Sequence, residues 1–211
     1  MSGTPKLDDA LEVEADMTAL RCNYDCYGDF YSWCTRECRK SLDIILKGTK
    51  ATEPDFMVLM MNPGGSRPAA GQPKHGCVLA VPDDTQDQIM KLMIYAGFEY
   101  ARILNLSDIR EPRSQAFRQI LKKAGSDQTH SVFDASRAAE FQKLFVTGVP
   151  VLLAWGVHQK LRPLAELALA AVAGEDARGL KKPGDLWSYY HPLPPVRTNR
   201  AKWLADIQPQ F

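Results

Sequence analysis

Three short stretches carry side chains suited to chemistry on a ligand. Asn62-Pro63-Gly64-Gly65-Ser66 follows six apolar residues. An Asn amide holds both a donor and an acceptor, and adjacent glycines leave backbone N–H groups open to a phosphate or another anion. The same residues also read as a plain turn. Asn105 stands in apolar company, Ile103-Leu104-Asn105-Leu106. A buried amide must satisfy both of its ends, so it bonds to backbone or meets a ligand. His191 sits between Tyr189-Tyr190 and Pro192-Leu193-Pro194-Pro195. Its imidazole is either an acid–base group or a packed, hydrogen-bonded ring. His75, His130 and His158 read as surface or loop histidines.

Cysteine is the other oddity. Cys22, Cys26, Cys34 and Cys38 form C-x3-C-x7-C-x3-C, with Cys77 apart. Four thiolates suit zinc or an iron–sulfur cluster, but the C-x2-C knuckle is missing. A spacing of four also places each pair on one face of a helix, where Cys packs as a small hydrophobe. Tyr24, Tyr27, Phe30, Tyr31 and Trp33 interleave with them and favour core packing. The reading is therefore no cofactor, with zinc, a cluster or redox pairing as alternatives.

These groups need elements to hold them. Phe56 to Met61 is continuously apolar between Pro54 and Asn62-Pro63-Gly64-Gly65, the pattern of a buried parallel strand entering a tight loop. Residues 102–106, 150–155 and 188–190 read as three further strands. Residues 66–82 read as a long loop. Apolar spacing predicts helices over 83–96, 114–124, 136–145, 158–173 and 198–207. Residues 18–48 read as a helical, Cys-containing segment, and residues 1–17 as an acidic tail. The expected fold is α/β: one three-layer α/β/α sandwich over residues 18–211, with a mainly parallel four-stranded sheet. In such sheets, ligands bind outside the carboxyl ends of the strands. Asn62, Asn105, Asp108, Trp155, His158 and His191 all fall at predicted strand ends.

The chain has 211 residues with formal net charge +1, 45% apolar and 24% charged. The balance excludes a polybasic protein that holds DNA by bulk electrostatics. Residues 1–16 carry one lysine against five acids, a net of −4, which leaves +5 on the rest. No run approaches the ~18 apolar residues of a membrane span. No hydrophobic leader precedes Asp16, and cytoplasmic residence is expected, as a monomer.

Met61-Asn62-Pro63-Gly64 resembles the first motif of the uracil-DNA glycosylase superfamily, Gly-Met/Ile-Asn-Pro-Gly in some branches. His191-Pro192-Leu193-Pro194 resembles its second, His-Pro-Ser-Pro. Ile103-Leu104-Asn105 is similar to the strand whose Asn reads the base, and Val151 to Gly156 to the strand before the last motif. In texture the chain is closer still to a family of uncharacterised bacterial and phage proteins, a domain of unknown function with the Asn-Pro-Gly and His-Pro motifs. That family shares Asp83-Asp84-Thr85, Gly97-Phe98, Leu104-Asn105-Leu106, Arg110 and Trp155-Gly156.

The resemblance implies a glycosylase-like fold and a protein that binds or excises a nucleobase from DNA. It implies that Asn62 orients water, Asn105 bonds the base edge and His191 donates to the base oxygen where charge grows. Tyr95, Phe98 or Trp155 would stack on the base. Pro63, Gly64, Gly65, Ser66 and Pro192 would grip the backbone, with Arg67, Lys74, Arg197, Arg200 and Lys202 as a basic edge. The alternatives are a non-catalytic nucleotide or nucleic-acid binding module of the same fold, and a phosphate-using hydrolase or transferase.

Overall fold

Residues 24–46 form a β-hairpin where the spacing predicted helices. The computed structural model describes residues 18–194, 196 and 198–211; the acidic tail, residues 1–17, lies outside them, and residues 18–22 make a helical turn. Strand β1 (Tyr24–Trp33) pairs antiparallel with β2 (Arg36–Leu46), Tyr24 opposite Leu46 and Trp33 opposite Arg36. Burial in β1 alternates residue by residue. A spacing of four fits that period of two as well as it fits a helical turn, so the cysteines could not decide between them. The aromatic residues favour the pleated form.

The predicted loop over 66–82 also holds strands. Strand β5 (Gly76–Val81) pairs with β1, and the short β4 (Arg67–Pro68) with β5. Beyond β2 come β6 (Tyr100–Asn105), β3 (Phe56–Met60), β7 (Val151–Leu153) and β8 (Ala177–Arg178). The sheet has eight strands in the order β4-β5-β1-β2-β6-β3-β7-β8. Four of its seven pairings are antiparallel; only β6-β3-β7-β8 run parallel. The expectation of a mainly parallel four-stranded sandwich is therefore wrong. The hairpin and β5 extend the sheet past β6. Residues 188–190 are not the fourth parallel strand either: Tyr189 makes only isolated bridges to Gly156 and Lys181, and β8 takes that place.

Every residue of β3 is buried, so both faces of the sheet must be covered. Phe56, Val58 and Met60 point to a core closed by α1 (Asp84–Ala96) and α5 (Thr198–Ile207), through Ile89, Leu92, Met93, Trp203 and Ile207. Met57 and Leu59 point to the opposite core. That side is closed by α2 (Ser114–Ala124), α3 (Ala138–Leu144) and α4 (Arg162–Ala171), with Phe117, Leu164 and Ala168 buried in it. Asp83 caps α1 in a reciprocal box: its side chain accepts the Thr85 amide, and Gln86 Oε1 accepts the Asp83 amide. Gly97 ends the helix at φ +75°.

Candidate functional site

After β3 the chain runs through β4 and β5 into α1 on one face of the sheet, and after β7 it runs into α4 on the other. β3 and β7 are neighbours. Oppositely directed loops from adjacent parallel strands open a crevice at their carboxyl ends. A cleft of about 1230 Å³ lies there. That is ample for a small organic ligand, whose pockets run from roughly 300 to 1,000 Å³. One wall is the loop Asn62–Gly65 with Asp83 behind it, the next is Trp155–His158, and the third is the strap Tyr190–His191 facing α5.

His191 is held from three sides. The Gly156 amide donates to Tyr189 O at 2.7 Å, Tyr190 N–H to Leu180 O at 2.8 Å, and the Trp203 indole to Tyr190 O at 3.1 Å. Trp155 is fully buried and donates Nε1–H to Trp187 O at 2.9 Å. Its ring meets Tyr189 edge-on at 5.3 Å. Its part is thus to anchor the strap. The Leu193 amide donates to His191 Nδ1 at 3.1 Å. Desolvation lowers the pKa of His191 to about 4 against the pull of Asp83. At neutral pH the ring is therefore uncharged, and with Nδ1 accepting, its proton sits on Nε2.

Asn62 spends both amide hydrogens on the loop after β6, to Ile109 O at 3.2 Å and Glu111 O at 2.8 Å. Only the NH₂ end can serve two carbonyls, so Oδ1 is the atom left as acceptor. Asp83 Oδ2 accepts the Gly65 amide at 3.1 Å. A Cβ on Gly64 would come 3.0 Å from that oxygen, so the carboxylate would have to give way, and the φ of +62° there favours glycine. The cleft thus presents a carboxylate, a neutral donor and a lone acceptor.

Six of the nine predicted site residues line the cleft: Asn62, Pro63, Gly64, Gly65, Trp155 and His191. Ser66, Asn105 and Pro192 are buried outside its lining. Of the proposed stacking rings, Phe98 stacks on Phe56 at 4.8 Å in the core and Tyr95 is exposed elsewhere on α1. The rings that do line the cleft beside Trp155 are Tyr190 and Trp203. Asp83 was legible only as a helix cap. Its site role depends on the β3 loop folding back onto it.

Two of the five residues of the expected basic edge are paired with carboxylates, while Arg67 and Lys74 are exposed away from the cleft lining. Arg200 pairs with Asp84 at 3.3 Å and Lys202 with Asp206 at 2.8 Å, and Arg197 lies outside the described residues. Four carboxylates (Asp83, Asp84, Glu111, Asp206) and two cations (Arg118, Lys202) line the cleft. That lining suits an uncharged hydrogen-bonding ring better than a polyphosphate.

The four cysteines do not converge. Cys26 faces the α1 core and Cys38 the opposite one. Cys22 and Cys34 flank the ten residues of β1, a separation of roughly 30 Å. Burial raises the Cys26 thiol to about 12 and Cys38 to about 11, away from the thiolate that metals require. Among the described residues no group of three His, Cys, Asp or Glu stands at metal-holding distance. His130, read as a surface or loop histidine, lies in a turn but is buried, and its ring meets Trp33 edge-on at 5.9 Å. Among the described residues no helix is long and apolar enough to cross a membrane. Comparison with protein-family models, curated proteins and solved structures finds no match.

Proposed function

We propose that the chain is a uracil-DNA-glycosylase-like protein that binds a nucleobase in this cleft and hydrolyses its bond to the sugar. The observation that carries the reading is the placement of the His191 ring: its Nδ1 accepts the Leu193 amide, which leaves Nε2–H without a partner among the described residues, in one cleft with the Asn62 acceptor and the Asp83 carboxylate. As the glycosidic bond breaks, its electrons pass to the base and an exocyclic oxygen gains charge. A fixed donor aimed at that oxygen stabilises the transition state. His191 Nε2–H supplies the donor without first having to lose a proton. Asn62 Oδ1 accepts a hydrogen bond from the attacking water. Asp83 stabilises the cationic sugar and takes the water's second proton once oxygen bonds to the anomeric carbon. Tyr190 or Trp203 stacks on the base.

The charge balance favours one further reading, a module that holds a free base or nucleoside without cleaving it. Its support is the pairing of Arg200 and Lys202 with carboxylates, which weakens any grip on a phosphate backbone. Assays for free base from uracil, hypoxanthine and mismatched bases, in oligonucleotides and in nucleosides, separate the two. Release supports the hydrolase; saturable binding with no release supports the module.

A further inference from the structure

Behind the Gly64–Ser66 loop, five buried polar atoms have no hydrogen-bond partner among the described residues. They are Arg39 Nε and Nη1, Ser66 Oγ, and Asn105 Nδ2 and Oδ1. The three residues are at most 1% exposed. They belong to one neighbourhood. Arg39 stands opposite Phe30 in the hairpin, so both side chains share a face, and Phe30 lies in the α1 core. Asn105 is in register with Met60 of that same core, at the end of the strand next to Arg39's own. Arg110 links the two sides: its guanidinium lies 5.3 Å over the Phe30 ring, and its Nε donates to Ser66 O at 3.0 Å.

A cation taken out of water carries a large cost unless a counter-charge and hydrogen bonds replace its hydration. Arg39 has neither. Asp83 attracts it from a distance, but the Asp83 oxygens are engaged with the Thr85 and Gly65 amides. Burial lowers Arg39 only to about 10, so it remains a cation at neutral pH. Arg110 stands close enough to repel it.

The unmet atoms define what would satisfy them. Arg39, Ser66 and the Asn105 NH₂ offer donors to an anion. The Asn105 oxygen needs a donor in return, and this holds whichever way round the amide is set, because both of its ends are unpaired. The complement is a compact anion rich in acceptors that still carries one O–H. Hydrogen phosphate has that form; sulfate at neutral pH has no proton to give.

We propose that Arg39, Ser66 and Asn105 form an oxyanion site selective for protonated phosphate, backed by Arg110 and independent of the cleft's chemistry. Entry is past the Gly64–Ser66 loop, which the Asp83–Gly65 and Arg110–Ser66 hydrogen bonds hold down.

The test is thermal unfolding and titration calorimetry of the full chain near pH 6.5 at fixed ionic strength. Inorganic phosphate, sulfate, chloride and glycerol 3-phosphate are the probes. Phosphate is expected to raise Tm saturably, with sulfate at least about tenfold weaker. Asn105→Ala should bring phosphate down to the level of sulfate, Ser66→Ala should weaken phosphate, and Arg39→Met should abolish the response. If Arg39→Met does not fold, the other two variants carry the test. A match between glycerol 3-phosphate and phosphate supports the site with an ester as its ligand; rejection of the ester supports it with the free ion. Equal responses to phosphate, sulfate and chloride overturn the proposal. So does a phosphate response that survives unchanged in the variants.

Discussion

The Leu193 amide donates to His191 Nδ1 at 3.1 Å, and this bond fixes the proton of the neutral ring on Nε2. Burial keeps the ring neutral down to about pH 4. An NMR titration should therefore show His191 unchanged until the pH falls toward that value, and base release should be flat from about pH 5 to 8. An inflection near the ordinary histidine value of about 6.5 would contradict this. His191→Ala should slow release by about 10²-fold with little change in Tm, the scale of losing one oriented donor.

Asp83 joins the helix cap to the glycine loop. Asp83→Ala removes the acceptor for both the Thr85 and Gly65 amides and should cost about 1–2 kcal/mol in a urea melt. Asp83→Asn retains an acceptor for the cap and should recover most of that stability. Its base release should stay low, because the carboxylate charge is gone. Full activity in Asp83→Asn would remove Asp83 from the chemistry.

Asp108 should give the fold a pH dependence remote from the cleft. It is fully buried, and its Oδ2 takes the Tyr31 hydroxyl and Arg137 Nη2, each at 2.8 Å. Burial nonetheless wins and raises it from 3.8 to about 7. Between those values the native state holds a proton that the unfolded state has lost, so stability must fall as pH rises. The contribution is complete below about pH 4 and lost as pH passes about 7. Urea midpoints of Asp108→Asn should lack this segment of the slope. The same slope in the variant would assign it elsewhere.

Gly179 should be intolerant of any side chain. A Cβ there would stand 2.4 Å from Leu153 O and 2.8 Å from the Tyr189 ring. Gly179→Ala is expected to cost about 1–3 kcal/mol, seen as a lower urea midpoint. By displacing Tyr189 it should also move His191 and impair base binding. Unchanged affinity would mean that the strap is positioned from the Trp203 side alone.

The parallel strands were legible because β3, β6 and β7 are short, apolar runs that end in turn residues. The carboxyl ends of β3 and β7 bring Asn62, the glycine loop and Trp155 to the cleft, whereas His191 reaches it from a strap that is not a strand of the sheet. The hairpin was not legible, because Cys22/Cys26 and Cys34/Cys38 satisfy two periods at once. Asn105 looked like a cleft residue because it ends a strand. The pleat instead turns it toward the α1 core with Met60. Asp83 could not be seen as a site residue without the long-range contact to Gly65. Arg39 gave no signal, since a lone arginine in a strand pattern usually marks the solvent face.

The central claim rests on whether this cleft breaks a base–sugar bond. The most direct measurement is chromatographic detection of free base after the folded chain meets uracil- and hypoxanthine-containing oligonucleotides and nucleosides, with His191→Ala alongside. The account predicts base released by the wild type and about 10²-fold less by the variant. No free base from any substrate, or equal release by both proteins, would contradict it.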